Sequence, residues 1–266
     1  MIRGLYTSAS GMIMETIRTD ITANNVANTD TTGFKKELAI LKASPEMDIY
    51  RFNDTREISN KGPFLTPYIG KLGTGATVDE VHTSFEQGQI VDTGDKYNMA
   101  LMGKGFFTVA DDAGNVFYTR DGSFICDGDG YIMTKDGHFL QGEGGHIILT
   151  PDEEMTINEK GEIWLDGDYF DTLAIVEFPD ANTLEKIKDN LFRETEITER
   201  PFPADCLVIQ GSVERSNVST VKEMLNLITA LRAYEANQKC IQTHDETLGK
   251  AVNEGLNTFL ICFICT

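Results

Sequence analysis

A seven-residue repeat near the end of the chain constrains the fold more than any other feature of its 266 residues. Over residues 218–255 it places Leu227, Tyr234, Ile241 and Leu248 at one recurring position and Met224, Leu231, Gln238, Asp245 and Val252 at the other. Every member of the first set is apolar or aromatic. A 3.5-residue spacing sustained for four repeats keeps one stripe of a helix facing another helix, so the pattern predicts a coiled-coil seam that needs a partner. An amphipathic helix lying on its own domain would satisfy the same spacing. Ser216 or Asn217 is the expected cap.

A second helix is expected at the opposite end. Residues 1–28 set Ile2, Leu5, Ala9, Ile13, Ile17 and Ile21 at steps of three or four, with Arg3, Glu15, Arg18 and Asp20 on other faces. Asn24, Asn25 and Asn28 should close it, because short polar side chains compete with helical backbone bonding, and Gly33 then permits a turn. Chain ends often lie close together, so the two helices are natural partners, and further copies would complete the packing that a short pair cannot.

Between them the chain reads as an antiparallel β-rich domain. FFTVA (106–110), VFYTR (116–120), SFIC (123–126), YIMT (131–134) and HFLQG (138–142) are short apolar runs separated by Asp121-Gly122, Asp127-Gly128-Asp129-Gly130 and Asp136-Gly137. Asp-Gly between such runs favours tight hairpins, because glycine accepts positive φ freely. HIILT, EIWLD and FDTLAIVEF continue the domain. Pro63, Pro67, Gly70, Gly73 and Gly75 interrupt 35–96, which reads as extended connecting structure with a few strands. The expected class is therefore α+β, with long terminal helices pairing as a coiled coil around a central antiparallel β-rich domain. The expected organisation is a discontinuous helical domain (1–34 with 215–257), a connecting domain (35–96 with 200–214), an outer β domain (97–199) and an apolar tail (258–266).

Charge narrows the partners. Of the net −19, −16 lies in residues 111–205, which carry 7 basic and 23 acidic side chains. Such a chain repels a phosphate backbone, so no nucleic-acid partner is expected. Near-neutral ends can pack against copies of themselves, while an acidic middle is best screened by water and salt, although an acidic soluble surface needs no further meaning. No stretch approaches the roughly 18 apolar residues that span a bilayer. The opening MIRGLYTSASGM lacks an apolar h-region, so export, if it occurs, is expected to use no cleaved signal.

Candidate chemistry is thin. The Asp127-to-Gly130 run lacks the later oxygen ligands of a calcium loop, those positions being Tyr131 and His138. Gly103-x-Gly105 lacks the third glycine of a phosphate cradle and precedes a strand. Ser212 and Ser216 sit outside any nucleophile elbow. His82, His138, His146 and His244 are dispersed, and the five cysteines suit no disulfide framework. Cys262-x-x-Cys265 has no second ligand pair for zinc. No enzyme, metal or cofactor is expected.

Three ordered blocks carry a resemblance. Ile2-Arg3-Gly4-Leu5-Tyr6-Thr7-Ser8-Ala9-Ser10-Gly11-Met12 with Asn24-Asn25-Val26-Ala27-Asn28-Thr29-Asp30-Thr31-Thr32-Gly33-Phe34-Lys35 is the first. Met99-Ala100-Leu101-Met102-Gly103-Lys104-Gly105-Phe106-Phe107 with Tyr118-Thr119-Arg120-Asp121-Gly122-Ser123-Phe124 is the second. Gln210-Gly211-Ser212-Val213-Glu214-Arg215-Ser216-Asn217-Val218 with Arg232-Ala233-Tyr234-Glu235-Ala236-Asn237-Gln238-Lys239 is the third. Together they resemble the flagellar basal-body rod and hook proteins. The resemblance implies a non-enzymatic axial subunit, distal-rod-like in length, exported by the flagellar type III apparatus and assembling with itself and with other rod and hook proteins in the basal body, beyond the cytoplasmic membrane. A proximal rod or hook-type paralogue is the alternative within the family, and a secreted β-rich adhesin with a helical stalk the alternative outside it. The residues expected at the assembly interface are Leu5, Ile13, Ile17, Asn24, Asn25, Asn28, Leu227, Tyr234, Ile241 and Leu248. The tail from Asn257 to Thr266 has no counterpart in the resemblance.

Overall fold

The computed structural model describes residues 2–50, 68–150, 155–187 and 190–264, with side chains described only between residues 4 and 253. The expectations attached to Pro63, Pro67 and the Cys262/Cys265 pair lie outside the described residues. An N-terminal helix, a β-rich middle and a C-terminal helix make an α+β protein. Packing divides the chain into two compact units, one of residues 1–23, 39–81 and 224–266, the other of 24–38 and 82–223.

Helix α1 (Ile2–Ala27) and helix α2 (Thr220–Ile264) bracket the chain. Hydroxyl side chains are frequent in α1 and bond back to its own carbonyls: Thr16 Oγ1 donates to Met12 O at 2.9 Å and Thr22 Oγ1 to Arg18 O at 2.7 Å. Such back-bonding lets a Thr-rich segment stay helical without a side-chain partner elsewhere. Helix α2 begins three residues after Asn217 and continues to Ile264, nine residues beyond the expected end. Asn217 does not cap it. Its side chain accepts from Lys36 N at 2.8 Å and donates to the carbonyls of Ser84 and Glu86, so it is spent on pinning strands.

The connecting region forms two-stranded ribbons. Strand β1 (Glu37–Ala43) pairs with β4 (Ala76–Thr83), and β2 (Met47–Tyr50) pairs antiparallel with β3 (Tyr68–Leu72).

The second unit holds the main sheets. After β5 (Ile90–Asp92) and β6 (Met99–Met102) come β7 (Phe106–Ala110), β8 (Val116–Thr119), β9 (Phe124–Cys126), β10 (Ile132–Thr134), β11 (Phe139–Gly142) and β12 (Gly145–His146). A meander of β13 (Met155–Ile157), β14 (Glu162–Leu165) and β15 (Asp168–Thr172) follows, then β16 (Ile175–Glu177), β17 (Glu185–Lys186), β18 (Leu191–Arg193), β19 (Phe202–Pro203), β20 (Leu207–Gln210) and β21 (Ser212–Glu214). The largest sheet runs β17-β18-β8-β7-β11-β10-β9. Within it β7 sets Phe107 opposite Thr119 of β8, and its other edge is shared by β11 and β16. Two of the three expected Asp-Gly turns are in place, with Gly130 and Gly137 both taking positive φ and Gly130 N donating to Asp127 O at 3.0 Å; Asp121-Gly122 closes no hairpin, because β8 pairs with β7 and β18 while β9 pairs with β10.

Strand β7 is buried on both faces, which is why it reads as an apolar run rather than an alternation. Successive side chains point to opposite faces. Phe107 joins a cluster with Met99, Leu101, Val109, Phe124 and Ile132, while Phe106 joins Tyr118, Phe178, Leu184 and Phe192. Edge-to-face contacts order the second cluster, with Phe106 and Phe192 centroids 5.7 Å apart. Gly122 is fixed by close approach, since a Cβ there would lie 1.5 Å from Met99 O.

Candidate assembly surfaces

In the first unit α1 and α2 touch through small residues. A Cβ at Gly4 would meet His244 Nε2 at 2.7 Å, and one at Gly11 would meet Asn237 Nδ2 at 2.9 Å. Helix α2 turns a stripe inward at alternating steps of three and four: Leu227, Ala230, Tyr234, Asn237, Ile241, His244 and Leu248 are all buried or half-buried, with Ala230 at 0% exposure. The expected second position is displaced by one residue. Met224, Leu231, Gln238, Asp245 and Val252 stand in water, and Ala230, Asn237 and His244 take the covered places. Close approach of two backbones selects small residues, and that outweighs hydrophobicity at this seam.

The same inversion holds on α1. Before Asn25 its buried positions are Ser8, Glu15 and Thr22, one every seven residues, although Glu15 reads in the sequence as an outward charge. Glu15 Oε2 lies 3.7 Å from Arg18 Nη1, on the next turn of the helix. Leu5, Ala9 and Ile21 are half-buried, whereas Tyr6 (67% exposed), Ile13 (64%) and Ile17 lie in water. Over the first turns of α2 the exposed large apolar residues are Val221, Met224, Leu225, Ile228 and Leu231. At 100° per residue these fall within an arc of about 120° whose centre is roughly 150° from the inward stripe. Helix α2 therefore has two faces over its first turns, one covered by its own chain and one uncovered.

The second unit holds the segments that leave α1 and enter α2. Asn25, 1% exposed, clamps Glu37 from both sides, accepting from its N–H at 3.0 Å and donating to its carbonyl at 2.7 Å. Asn24 is exposed; its backbone carbonyl and side-chain oxygen both accept from Asn28 Nδ2, and Asn28 Oδ1 accepts from Thr31. Both line a polar cavity of about 590 Å³ together with Thr32, Asp121, Lys186 and Asn190. Gly33 takes φ +65° where its N–H donates to Glu214 O at 2.8 Å.

A buried ionic cluster sits behind that turn. Lys35 Nζ donates to Glu214 Oε1 at 2.7 Å and to Glu86 O at 2.8 Å; Gly88 N also donates to Glu214 Oε1, and Arg120 Nη1 reaches Glu214 Oε2 at 3.4 Å. Burial pulls the Lys35 ammonium below its ordinary pKa, and the Glu214 carboxylate opposes that shift. Lys36 pairs with Glu223 at 2.6 Å and Arg215 with Asp30 at 2.6 Å. Five charged or polar bonds thus join residues 30–37 to residues 214–223. Sequence patterning singled out the asparagines but not this cluster. Its only signal is a lysine immediately after an apolar Gly-Phe pair, which cannot reveal a partner 179 positions away.

Apolar side chains left in water on the helices at both chain ends are what an assembling structural protein would present. Three family descriptions match in order: Flagella basal body rod protein over residues 5–35, Flagellar hook protein FlgE/F/G D1 domain over 100–165, and Flagellar basal body rod FlgEFG protein C-terminal over 209–254. The flagellar basal-body rod protein FlgG of Borreliella burgdorferi is 35% identical over 269 residues, covering 95% of this chain and 98% of its own. FlgG of Bacillus subtilis is 31% identical, covering 95% and 99%, and FlgF of Caulobacter vibrioides is also 31% identical, covering 95% and 97%. The chain belongs to the flagellar basal-body rod protein family and is a structural protein, not an enzyme. Among the described residues no helix is long and apolar enough to cross a membrane.

Proposed function

We infer that the chain is a rod subunit of the distal type that polymerises through its terminal helices, the inward stripe of α2 packing on α1 in a coiled-coil manner and the outer stripe packing on neighbouring copies. The observation that carries this is the uncovered stripe Met224, Leu225, Ile228 and Leu231, matched on α1 by Tyr6, Ile13 and Ile17. Burying each such side chain removes apolar area worth roughly 1.5–3 kcal/mol, so a few contacts per copy suffice to drive association. Leu5, Leu227, Tyr234, Ile241 and Leu248 hold the pair together, Ile13 and Ile17 face neighbours, and Asn24, Asn25 and Asn28 fix the exit of α1. Delivery by the flagellar export apparatus without a cleaved signal, to a site beyond the cytoplasmic membrane, follows from the family reading. Distal type is favoured because full-length relatives at 31–35% identity carry the FlgG name.

Ile228→Asp tests this. It places a carboxylate on the outer stripe, so the monomer should keep its helix content and melting behaviour while losing polymer yield, because that charge would have to be buried between copies. Ile241→Glu should lower helix-pair stability as well as assembly. Normal polymer from Ile228→Asp would end the assignment.

A further inference from the structure

The second of the two hydrophobic clusters covers its face of the largest sheet only in part. Phe106 of β7 and Tyr118 of β8 are closed over by Phe178, Leu184 and Phe192. The same face continues along both strands to Ala110 and Val116, because residues an even number of places apart share a face. There Val116 lies opposite Ala110, Ala110 opposite Phe139, Phe139 opposite Met133, and Met133 opposite Ile125. Directly opposed residues of antiparallel strands project to the same side, so these five make one unbroken apolar row across β8, β7, β11, β10 and β9. Five strands at the usual spacing make it about 19 Å long. Its two ends, Val116 (45% exposed) and Ile125 (43%), stand in water, and Met133 and Phe139 are half-buried. Beside the row Tyr131 meets the Phe139 ring at 5.2 Å, and Ile148, opposite Tyr131, is 45% exposed.

The row carries no charge, although residues 111–205 hold 23 acidic side chains. Charges stand at its rim, in the adjoining turns: Asp111 and Asp112 between β7 and β8, Asp127 after β9, and Lys135 and Asp136 between β10 and β11. An apolar centre with a charged rim is the layout of a protein interface. An acidic rim disfavours anionic lipid headgroups, and five apolar side chains give a saccharide nothing to bond. Size then narrows the partner. No member of the row is more than half exposed, so it offers far less than the roughly 800 Å² per partner that a stable pairwise complex buries. Such a contact holds only between molecules already joined elsewhere, where tethering raises the effective concentration.

We propose that the Val116–Ala110–Phe139–Met133–Ile125 row is a second contact between copies of this chain, closed once the terminal helices have joined them. The inference rests on the reading of the chain as a rod subunit but concerns a different surface. Because the row is too small to hold two copies by itself, it adds to the helical contact and does not replace it.

The test is photo-crosslinking and polymerisation of the full-length chain. Benzoylphenylalanine at Ile125 should give adducts at multiples of the chain's own mass on denaturing gels, as should the same probe at Ile228. Multimers from 228 with none from 125 would overturn this inference and leave the terminal-helix reading standing, whereas multimers from 125 with none from 228 would keep the row and sink that reading. Adducts from 125 only to a protein of another mass would also overturn it. Ile125→Asp should raise the critical concentration for polymerisation about tenfold, and Ile125→Thr, which keeps the branch at Cβ, about threefold, each with an unchanged thermal melt of the monomer. Lys160→Gln shifts the net charge by the same amount in the β13–β14 turn, outside the row, and should change that concentration less than about twofold. An equal rise from Lys160→Gln would assign the effect to general repulsion, and no rise from either Ile125 variant would leave the row without a role in assembly; both results would overturn the proposal.

Discussion

Replacing Lys35 by methionine keeps the side chain's length and volume but removes the ammonium from the interior of the second unit. Lys35 and Glu214 are each only 1% exposed at their side chains and meet at 2.7 Å. Removing one partner of a buried ion pair typically costs 3–5 kcal/mol, because the remaining charge stays desolvated. Here Glu214 retains Gly88 N–H at 2.7 Å and Arg120 at 3.4 Å, which places the loss near the lower figure, about 3 kcal/mol. For a unit of this size each kcal/mol shifts the melting temperature by about 2–4 °C, so Lys35→Met should melt roughly 6–12 °C below wild type. Differential scanning calorimetry of the monomer reads this directly, with circular dichroism confirming an unchanged fold at 20 °C. Glu214→Gln should lose a comparable amount, and the double variant should lose less than the sum, because both changes break the same bond. A Lys35→Met protein melting within about 2 °C of wild type would refute the reasoning, since water would then be solvating Glu214 in place of the lysine.

Three further outcomes follow from the same structure. Tyr118 donates to Glu194 from the edge of the phenylalanine cluster, and burial, then that hydrogen bond, hold its phenol above the ordinary value of 10.0. The unfolded chain therefore releases a proton that the folded one keeps, so stability present below pH 10 falls as pH rises beyond it, and Tyr118→Phe should flatten the alkaline limb of a stability–pH curve. Gly122→Ala forces a methyl to within 1.5 Å of Met99 O and should lower the unfolding free energy measured by urea melts by at least the roughly 1–3 kcal/mol typical of overpacking, with the midpoint falling accordingly. Burial raises the Cys206 thiol pKa, so iodoacetamide at neutral pH should modify exposed Cys240 well before Cys206, as read by peptide mass spectrometry.

The β-rich middle was the most legible part of the chain. Asp-Gly turns and short apolar runs act over a few residues, and the strands from Phe106 to Gly142 lie where those local signals put them. The helices were legible as elements and only in part in their facing: Leu227, Tyr234, Ile241 and Leu248 turn inward as the repeat predicts, but the second position does not. Counting apolar residues chose Met224 and Leu231 for the seam, whereas close contact demanded Ala230, Asn237 and His244, and the bulky side chains were left outside. Gly4 and Gly11 were the available signal, because glycine within a helix lowers its stability unless a neighbour needs the space. Glu15 was misplaced for the same reason. The Lys35–Glu214–Arg120 cluster was invisible, since its members lie in three separate blocks and nothing local distinguishes a buried lysine from a surface one. Asn217 reads as a helix cap and serves instead as a strand clamp, because its side chain meets better partners across the fold than along the chain.

The two-faced character of α2 is the centre of this account, and photo-crosslinking in assembled rods measures it directly. A benzoylphenylalanine placed at Ile228 should give adducts between copies, seen as a ladder of multimers on denaturing gels, while the same probe at Ile241 should give only intramolecular adducts to α1. Multimers from position 241 with none from 228 would mean that the covered and assembling faces are exchanged, and would contradict it.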